Sequence, residues 1–237
     1  MKKVTIIIPC YNEEESIPQL FKKLGDLEEA LAPSYEYEFL FVDDGSKDRT
    51  FSLLSDRVSQ HQRMRIVRHE TNKNLGGALK TGIANSPSAD YLAFLDSDCT
   101  YDPSVVMTLL SKLDEGADLS TVSPYHPKGL VEGVPAWRLV LSKGLSLIYR
   151  SLLRTPFFTY TAMVRAVKRE KVAGLLSEPN DFSFVALFFI KAIKQNLRIA
   201  EIPATLRVRQ FGVSKMSLLR TIRSHIRIIF TLIRNDV

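Results

Sequence analysis

The feature that most constrains the fold is an alternation in the first half of the chain. Short β-branched or apolar runs at residues 4–8, 38–42, 65–68 and 91–95 alternate with stretches of helical spacing at 14–31, 50–58, 75–85 and 103–115. In 14–31 the apolar positions Ile17, Leu20, Phe21, Leu24, Leu27 and Leu31 recur at helical intervals. Ser46 and Asp48 are candidate caps for the second helix. Strand followed by helix at this pitch predicts βαβ units, hence an α/β fold with a mainly parallel sheet flanked by helices. Ligands of such sheets bind beyond the carboxyl ends of the strands.

Those ends carry the unusual residues. Asp96-Ser97-Asp98 follows the fourth strand. Two carboxylates two positions apart at a turn suit a hard cation such as Mg2+ or Mn2+, which takes oxygen ligands and leaves positions open for phosphate oxygens. A lone pair of this kind is more often a loop of solvated acids and caps. Here, however, Asp43-Asp44-Gly45-Ser46 ends the second strand and Pro9-Cys10-Tyr11-Asn12-Glu13 ends the first. Asn74-Leu75-Gly76-Gly77-Ala78 opens the third helix, where small residues allow close backbone approach. Four such turns on one sheet edge are improbable as coincidence.

The second half has another character. Residues 119–123 read as a further strand, 124–135 as a Pro/Gly-rich loop, 184–194 as a helix and 199–209 as a strand, edged or kinked by Pro203. Residues 1–127 hold 13 Lys and Arg against 20 Asp and Glu, a net −7, whereas 128–237 hold 19 against 6, a net +13. The basic half points to an anionic partner: nucleic acid, phosphate or a membrane surface. No nucleic-acid-binding signature accompanies it, so a nucleic-acid partner is not expected. Two cysteines, Cys10 and Cys99, exclude a disulfide framework and suit a reducing, cytoplasmic compartment. No apolar run reaches the roughly 18 residues of a membrane span, so any membrane contact is expected to be peripheral.

Two helical stretches favour such contact. In 216–234 a polar row (Ser217, Arg220, Ser224, Arg227, Thr231, Arg234) opposes an apolar one (Leu219, Ile222, Ile226, Ile229, Phe230, Ile233), the pattern of a basic interfacial helix. In 137–153 the polar row is narrow (Arg138, Ser142, Ser146, Arg150) and nearly everything else is apolar. Either helix taken alone is equally well read as a packed surface helix. The histidines His61, His69, His126 and His225 show no ligand spacing.

Together, PCYNEEESI, VDDGSKDRT, NLGGALKTG and FLDSDCTYDP in this order resemble the family 2 glycosyltransferases of the GT-A fold. Arg138 with Ser142, Arg165, and Arg209-Gln210-Phe211-Gly212-Val213-Ser214-Lys215 resemble the dolichol-phosphate mannose synthase group of polyprenyl-phosphate glycosyltransferases. The resemblance implies a GT-A domain over residues 1–215, with a nucleotide-sugar half (1–127) and an acceptor half (128–215), followed by a basic amphipathic helix over 216–237. It implies that Pro9, Tyr11 and Glu13 line the nucleoside pocket and that Asp43 contacts the base. Asp96 and Asp98 would engage the metal and diphosphate, with Ser97 near ribose and phosphates. Arg138 and Ser142 would bind the acceptor phosphate, and Arg209 and Lys215 would close over the phosphates.

The activity so implied is inverting transfer of a hexose to a polyprenyl or dolichyl phosphate at the cytoplasmic face of a membrane. GDP-mannose is the first donor expected, and a separate membrane anchor subunit is compatible with it. Two alternatives stand beside it: a UDP-sugar transferase with another acceptor, and a donor-binding, catalytically weak peripheral protein. The second is motivated by departures from the group's pattern. Thr159 stands where the group carries an acid, Ala162 at its glycine, Leu187 at a glutamate, Pro124 at an arginine and Thr100 at a polar neighbour of the metal. Without those acids, Arg165 reads equally as a surface charge.

Overall fold

The computed structural model describes residues 1–211 and 218–234. In chain order the elements are β1 (Lys2–Cys10), α1 (Ile17–Leu31), β2 (Tyr35–Asp43), α2 (Thr50–Val58), β3 (Met64–Arg68), α3 (Asn74–Ala84), β4 (Tyr91–Phe94), α4 (Val105–Asp114) and β5 (Leu119–Ser123). There follow β6 (Leu130–Glu132), α5 (Ala136–Leu153), β7 (Arg165–Lys168), a 3₁₀ segment (Arg169–Leu175), α6 (Ser183–Lys194), β8 (Ile199–Pro203), β9 (Thr205–Arg207) and α7 (Leu218–Ile233).

Among the described residues, seven strands form one sheet in the order β3-β2-β1-β4-β7-β5-β8. β1 lies parallel to β2 and β4, as β-branched runs buried on both faces require. Side chains alternate across β1. Val4, Ile6, Ile8 and Cys10 enter a core shared with α1 and α4, while Ile7 enters the opposite core, shared with α3 and α6. Gly82 of α3 permits that second contact, because a Cβ there would lie 2.3 Å from Ile7 Cγ2. Mainly parallel strands between two helical layers are the expected α/β architecture.

Three local features go beyond or differ from the sequence pattern. β7 runs antiparallel between β4 and β5, in the middle of the sheet. Its four residues are too few to show a period, and two open strand edges recruit it. The expected strand over 199–209 divides at Pro203: β8 pairs with β5, and β9 crosses to pair with β6 inside the expected loop 124–135. Finally, the glycines opening α3 approach the chain itself. The Asn180 carbonyl accepts from Gly76 N at 2.6 Å and from Gly77 N at 3.2 Å, and a Cβ on Gly76 would meet Pro179 O at 2.8 Å. Lys80 likewise donates to Glu178 O and Asn180 Oδ1.

The close packing at Gly82 predicts that Gly82→Ala lowers stability by about 1–3 kcal/mol, through overpacking against an immobile central strand. Gly25→Ala, at a helical position with nothing within 4 Å of the new methyl, should raise stability by about 0.5–1 kcal/mol. Urea denaturation of both variants checks the pair.

Candidate active site

The turns after β1 and β2 are stitched to each other. Asn12, in the left-handed region (φ 52°), donates its N–H to Ser46 Oγ at 3.0 Å and accepts from Lys47 N at 2.8 Å. Glu13 N donates to Thr50 Oγ1 at 2.7 Å. Asp48 accepts from Thr50 N and from Glu14 N, so it serves both turns. Gly45 (φ 73°) lies against Asn72 N, leaving no room for a side chain.

Pro9 and Tyr11 are partly exposed on this edge, and Asp43 is fully buried at the end of β2. Asp43 Oδ1 accepts from Ser46 N, whereas Oδ2 has no hydrogen bond, although Arg68 Nε lies 3.1 Å away in poor geometry. An acceptor so placed fits an N–H of a bound base. Behind it, Asp44 Oδ1 meets His69 Nδ1 at 2.6 Å and Lys73 N at 2.8 Å, and His69 Nε2 meets Thr81 Oγ1 at 2.9 Å. This buried array fixes the loop between β3 and α3.

Asp96, Ser97 and Asp98 leave β4 on the same edge, with Ser97 buried and both carboxylates half-buried. Asp98 Oδ1 accepts from Thr100 N at 3.1 Å. Burial and then the neighbouring charge of Asp98 push the Asp96 carboxyl well above its ordinary range, with Arg209 opposing. Burial also raises Glu13. The Arg209 guanidinium answers this crowding: it bonds the Glu13 carboxylate, and its Nε lies 3.8 Å from Asp98 Oδ2. Lys215 lies outside the described residues. Among the described residues no group of three His, Cys, Asp or Glu side chains is placed to hold a metal ion by itself. Asp96 and Asp98 offer hard oxygen donors with mutual repulsion for a divalent cation to relieve, so further ligands would come from phosphate and water.

From Asp96 a cavity of about 630 Å³ runs toward α5 and α7, lined by Arg138, Ser142, Tyr125, Thr159 and Thr161 as well as apolar groups. Ser142 Oγ pairs with Thr161 Oγ1 at 3.1 Å and also meets the Tyr125 hydroxyl. Of the strand-end residues, Asp96 thus opens onto the same cavity as the Arg138–Ser142 row. α5 is inverted relative to an ordinary surface helix: Ser146 and Tyr149 are buried, while Val140 (69% exposed), Leu141, Leu147, Ile148 and Leu152 face outward. α7 packs by Ser224, His225, Ile228 and Leu232 and leaves Ile222, Ile226, Phe230 (60% exposed) and Ile233 outside beside Arg223 and Arg227. Its anchors are His225 Nδ1 to the Tyr149 hydroxyl at 2.9 Å and Ser224 Oγ to Asp181 at 2.7 Å. Burial pushes His225 down to about 4, so it is neutral at pH 7. Met216, Ser217 and the side chains of Leu219 and Arg220 lie outside the described residues.

The departures from the group's pattern find local partners. Thr159 Oγ1 pairs with Ser123 Oγ at 2.7 Å, Leu187 packs on the core, and Pro124 and Thr100 line the cavity. Arg165 is not a surface charge: it is 1% exposed, because its guanidinium is held by Thr121, Tyr160 O and Val185 O. Tyr125 and Thr161 escaped the sequence reading. Only the tertiary pairing with Ser142 reveals them.

Residues 5–175 match the family described as Glycosyl transferase family 2. A dolichol-phosphate mannosyltransferase of Pyrococcus furiosus is 29% identical, with 98% of this chain and 64% of that protein covered, so the chain spans less than two thirds of its length. A polyprenol monophosphomannose synthase of Mycolicibacterium smegmatis is 32% identical over 91% of this chain and 82% of its own. Among solved structures, glucosyl-3-phosphoglycerate synthase of Mycobacterium tuberculosis in complex with Mn2+, UDP and glucosyl-3-phosphoglycerate superposes with a TM-score of 0.69 at 20% identity, covering 98% and 78% of the two chains. Its phosphoglyceric acid complex gives 0.71 at 21%, covering 98% and 79%. At that identity the likeness establishes a shared fold.

With Arg209 removed, Glu13, Asp96 and Asp98 would face one another without a counter-charge. Arg209→Met is therefore expected to lower stability by about 1.5–3 kcal/mol in metal-free buffer, read as a lower urea midpoint with an unchanged slope.

Proposed function

The chain belongs to glycosyl transferase family 2, and from that premise we propose that it moves a hexose, mannose first, from a nucleotide diphospho-sugar to a polyprenyl or dolichyl phosphate at a membrane surface. The observation that carries this reading is the cavity. It joins Asp96 to the Arg138–Ser142 row, and the two helices beside it turn apolar faces outward.

In this reading the base lies over Asp43 between the first two turns, with Pro9, Tyr11 and Glu13 around the nucleoside and Ser97 near the ribose and phosphates. Asp96 and Asp98 would hold Mg2+ or Mn2+, which when bound neutralises diphosphate charge as the leaving group gains it. Arg209 turns from the carboxylates to the phosphates, and Lys215 adds further positive charge there. Arg138 and Ser142 hold the acceptor phosphate. That phosphate is already an anion at neutral pH, so no residue need remove a proton. Its oxygen attacks the anomeric carbon, the bond from that carbon to the diphosphate oxygen breaks, and the nucleoside diphosphate leaves from the opposite side with inversion. The protein's task is to position two anions and offset their repulsion.

The outward faces of α5 and α7 extend the same argument. Exposed Trp137, Leu141, Ile148, Ile222, Ile226 and Phe230 offer an apolar surface flanked by arginines, which suits the headgroup region of an anionic bilayer and a lipid acceptor lying in it. Among the described residues no helix is long and apolar enough to cross a membrane.

Asp96→Ala and Asp98→Ala should each abolish sugar transfer into the lipid phase while the variants remain folded. Full activity of either would remove the metal assignment. A donor panel of GDP- and UDP-sugars against polyprenyl phosphate separates mannose transfer from the alternatives, and transfer only to soluble acceptors would reject the lipid reading. Phe230→Glu, remote from the carboxylates, should weaken binding to anionic vesicles by about tenfold in a sedimentation assay, with nucleotide binding retained.

A further inference from the structure

One row across the sheet carries two opposite charges that do not meet. Arg165 on β7 registers with Thr121 on β5, and Thr121 registers with Glu201 on β8, so the three side chains share one face of the sheet. Arg165 Nε donates to Thr121 Oγ1 at 3.1 Å. The backbones of Arg165 and Glu201 are two strand spacings apart, about 10 Å, and no ion pair joins the two side chains, although the Glu201 charge still favours the charged guanidinium. Burial lowers its pKa to about 9, which leaves it charged at neutral pH.

Both charges hold the same short segment. The Glu201 carboxylate accepts from Phe158 N at 3.0 Å and from Thr159 N at 2.8 Å. One Arg165 amine donates to Tyr160 O at 2.8 Å and the other to Val185 O at 2.5 Å, with the guanidinium 4.7 Å over the Phe189 ring. Burying separated charges is expensive, and apolar residues of similar size often serve stability as well. What apolar residues cannot do is grip N–H groups at one end of a segment and a carbonyl at the other.

The segment passes its position on. Tyr160 N reaches Ser146 Oγ on α5 at 3.4 Å, Thr161 Oγ1 pairs with Ser142 Oγ, and Arg150 stacks over Phe158 at 4.7 Å. Thr159, Thr161 and Met163 line the cavity that reaches Asp96. α5 therefore has its register against the sheet set through this segment.

We propose that Arg165 and Glu201 are positioning residues for the acceptor. By clamping residues 158–161 from opposite ends, they set where Arg138 and Ser142 stand relative to Asp96. This rests on the acceptor reading of that row given above.

The test uses the full chain with Arg165→Lys and Glu201→Gln, each assayed for KM toward polyprenyl phosphate in vesicles, nucleotide affinity and amide hydrogen exchange. The expected result is about a fivefold or greater rise in acceptor KM with nucleotide affinity held within about twofold, and exchange of the 158–161 amides faster by about tenfold. A folded variant with unaltered KM and unaltered exchange overturns the proposal. So does a loss of nucleotide affinity in proportion to the rise in KM, which a merely structural role would produce. Should Arg165→Lys fail to fold, Glu201→Gln decides from the other end of the clamp. If the unmodified chain transfers nothing to a lipid phosphate, the functional reading fails, and the exchange measurement alone judges the clamp.

Discussion

Three carboxylates, Glu13, Asp96 and Asp98, share one partly buried volume at the carboxyl edge of the sheet, and the rest of the site is organised by the need to offset them. They come from two strand-end turns separated by more than eighty positions in the chain, and the parallel pairing of β1 with β4 brings them together. The cation that meets them, Arg209, arrives from the far end of the sequence. A cluster of like charges is costly in a low dielectric unless a counter-charge is built in or recruited. In this chain the built-in counter-charge is Arg209, and the proposed metal would meet the same oxygens.

Charge of the opposite sign dominates the second half of the chain. Part of the positive charge of the second half lies on α5 and α7, where some of it is held close to aromatic surface, as when Arg138 stacks on Trp137 and Arg150 on Phe158. α5 turns its polar row toward the protein and its apolar side outward. An exposed apolar face of this kind beside a polar cleft is uncommon on a water-facing helix.

Much of this was legible in the residues, and the boundary of legibility has a physical basis. The strands β1 to β5 and helices α1 to α4 follow periodicities that act within one element, so short windows of sequence reveal them. The strand-end carboxylates were visible because a topological rule places ligands at those ends. What escaped depends on pairing between distant segments. β7 exists because β4 and β5 present open edges to it. Arg165 looked like a surface charge because its partners are carbonyls and a hydroxyl from three other segments, none of which a sequence window contains. The glycines of α3 promised a close approach correctly, but the approaching backbone is that of Asn180. Small residues announce that something comes near, and only the fold says what.

The placement of β7 has a consequence for how the chain is made. Parallel strands β1, β2, β3 and β4 and the distant strand β5 emerge from the ribosome before it, yet β4 and β5 cannot be joined until Arg165–Lys168 has been synthesised and inserted between them. Through that interval the nascent chain carries two unpaired edges flanking a strand-wide gap, the exposure that invites mispairing with other chains. The strand-end turns after β1, β2 and β4, though encoded early, therefore sit on a platform completed only late in translation.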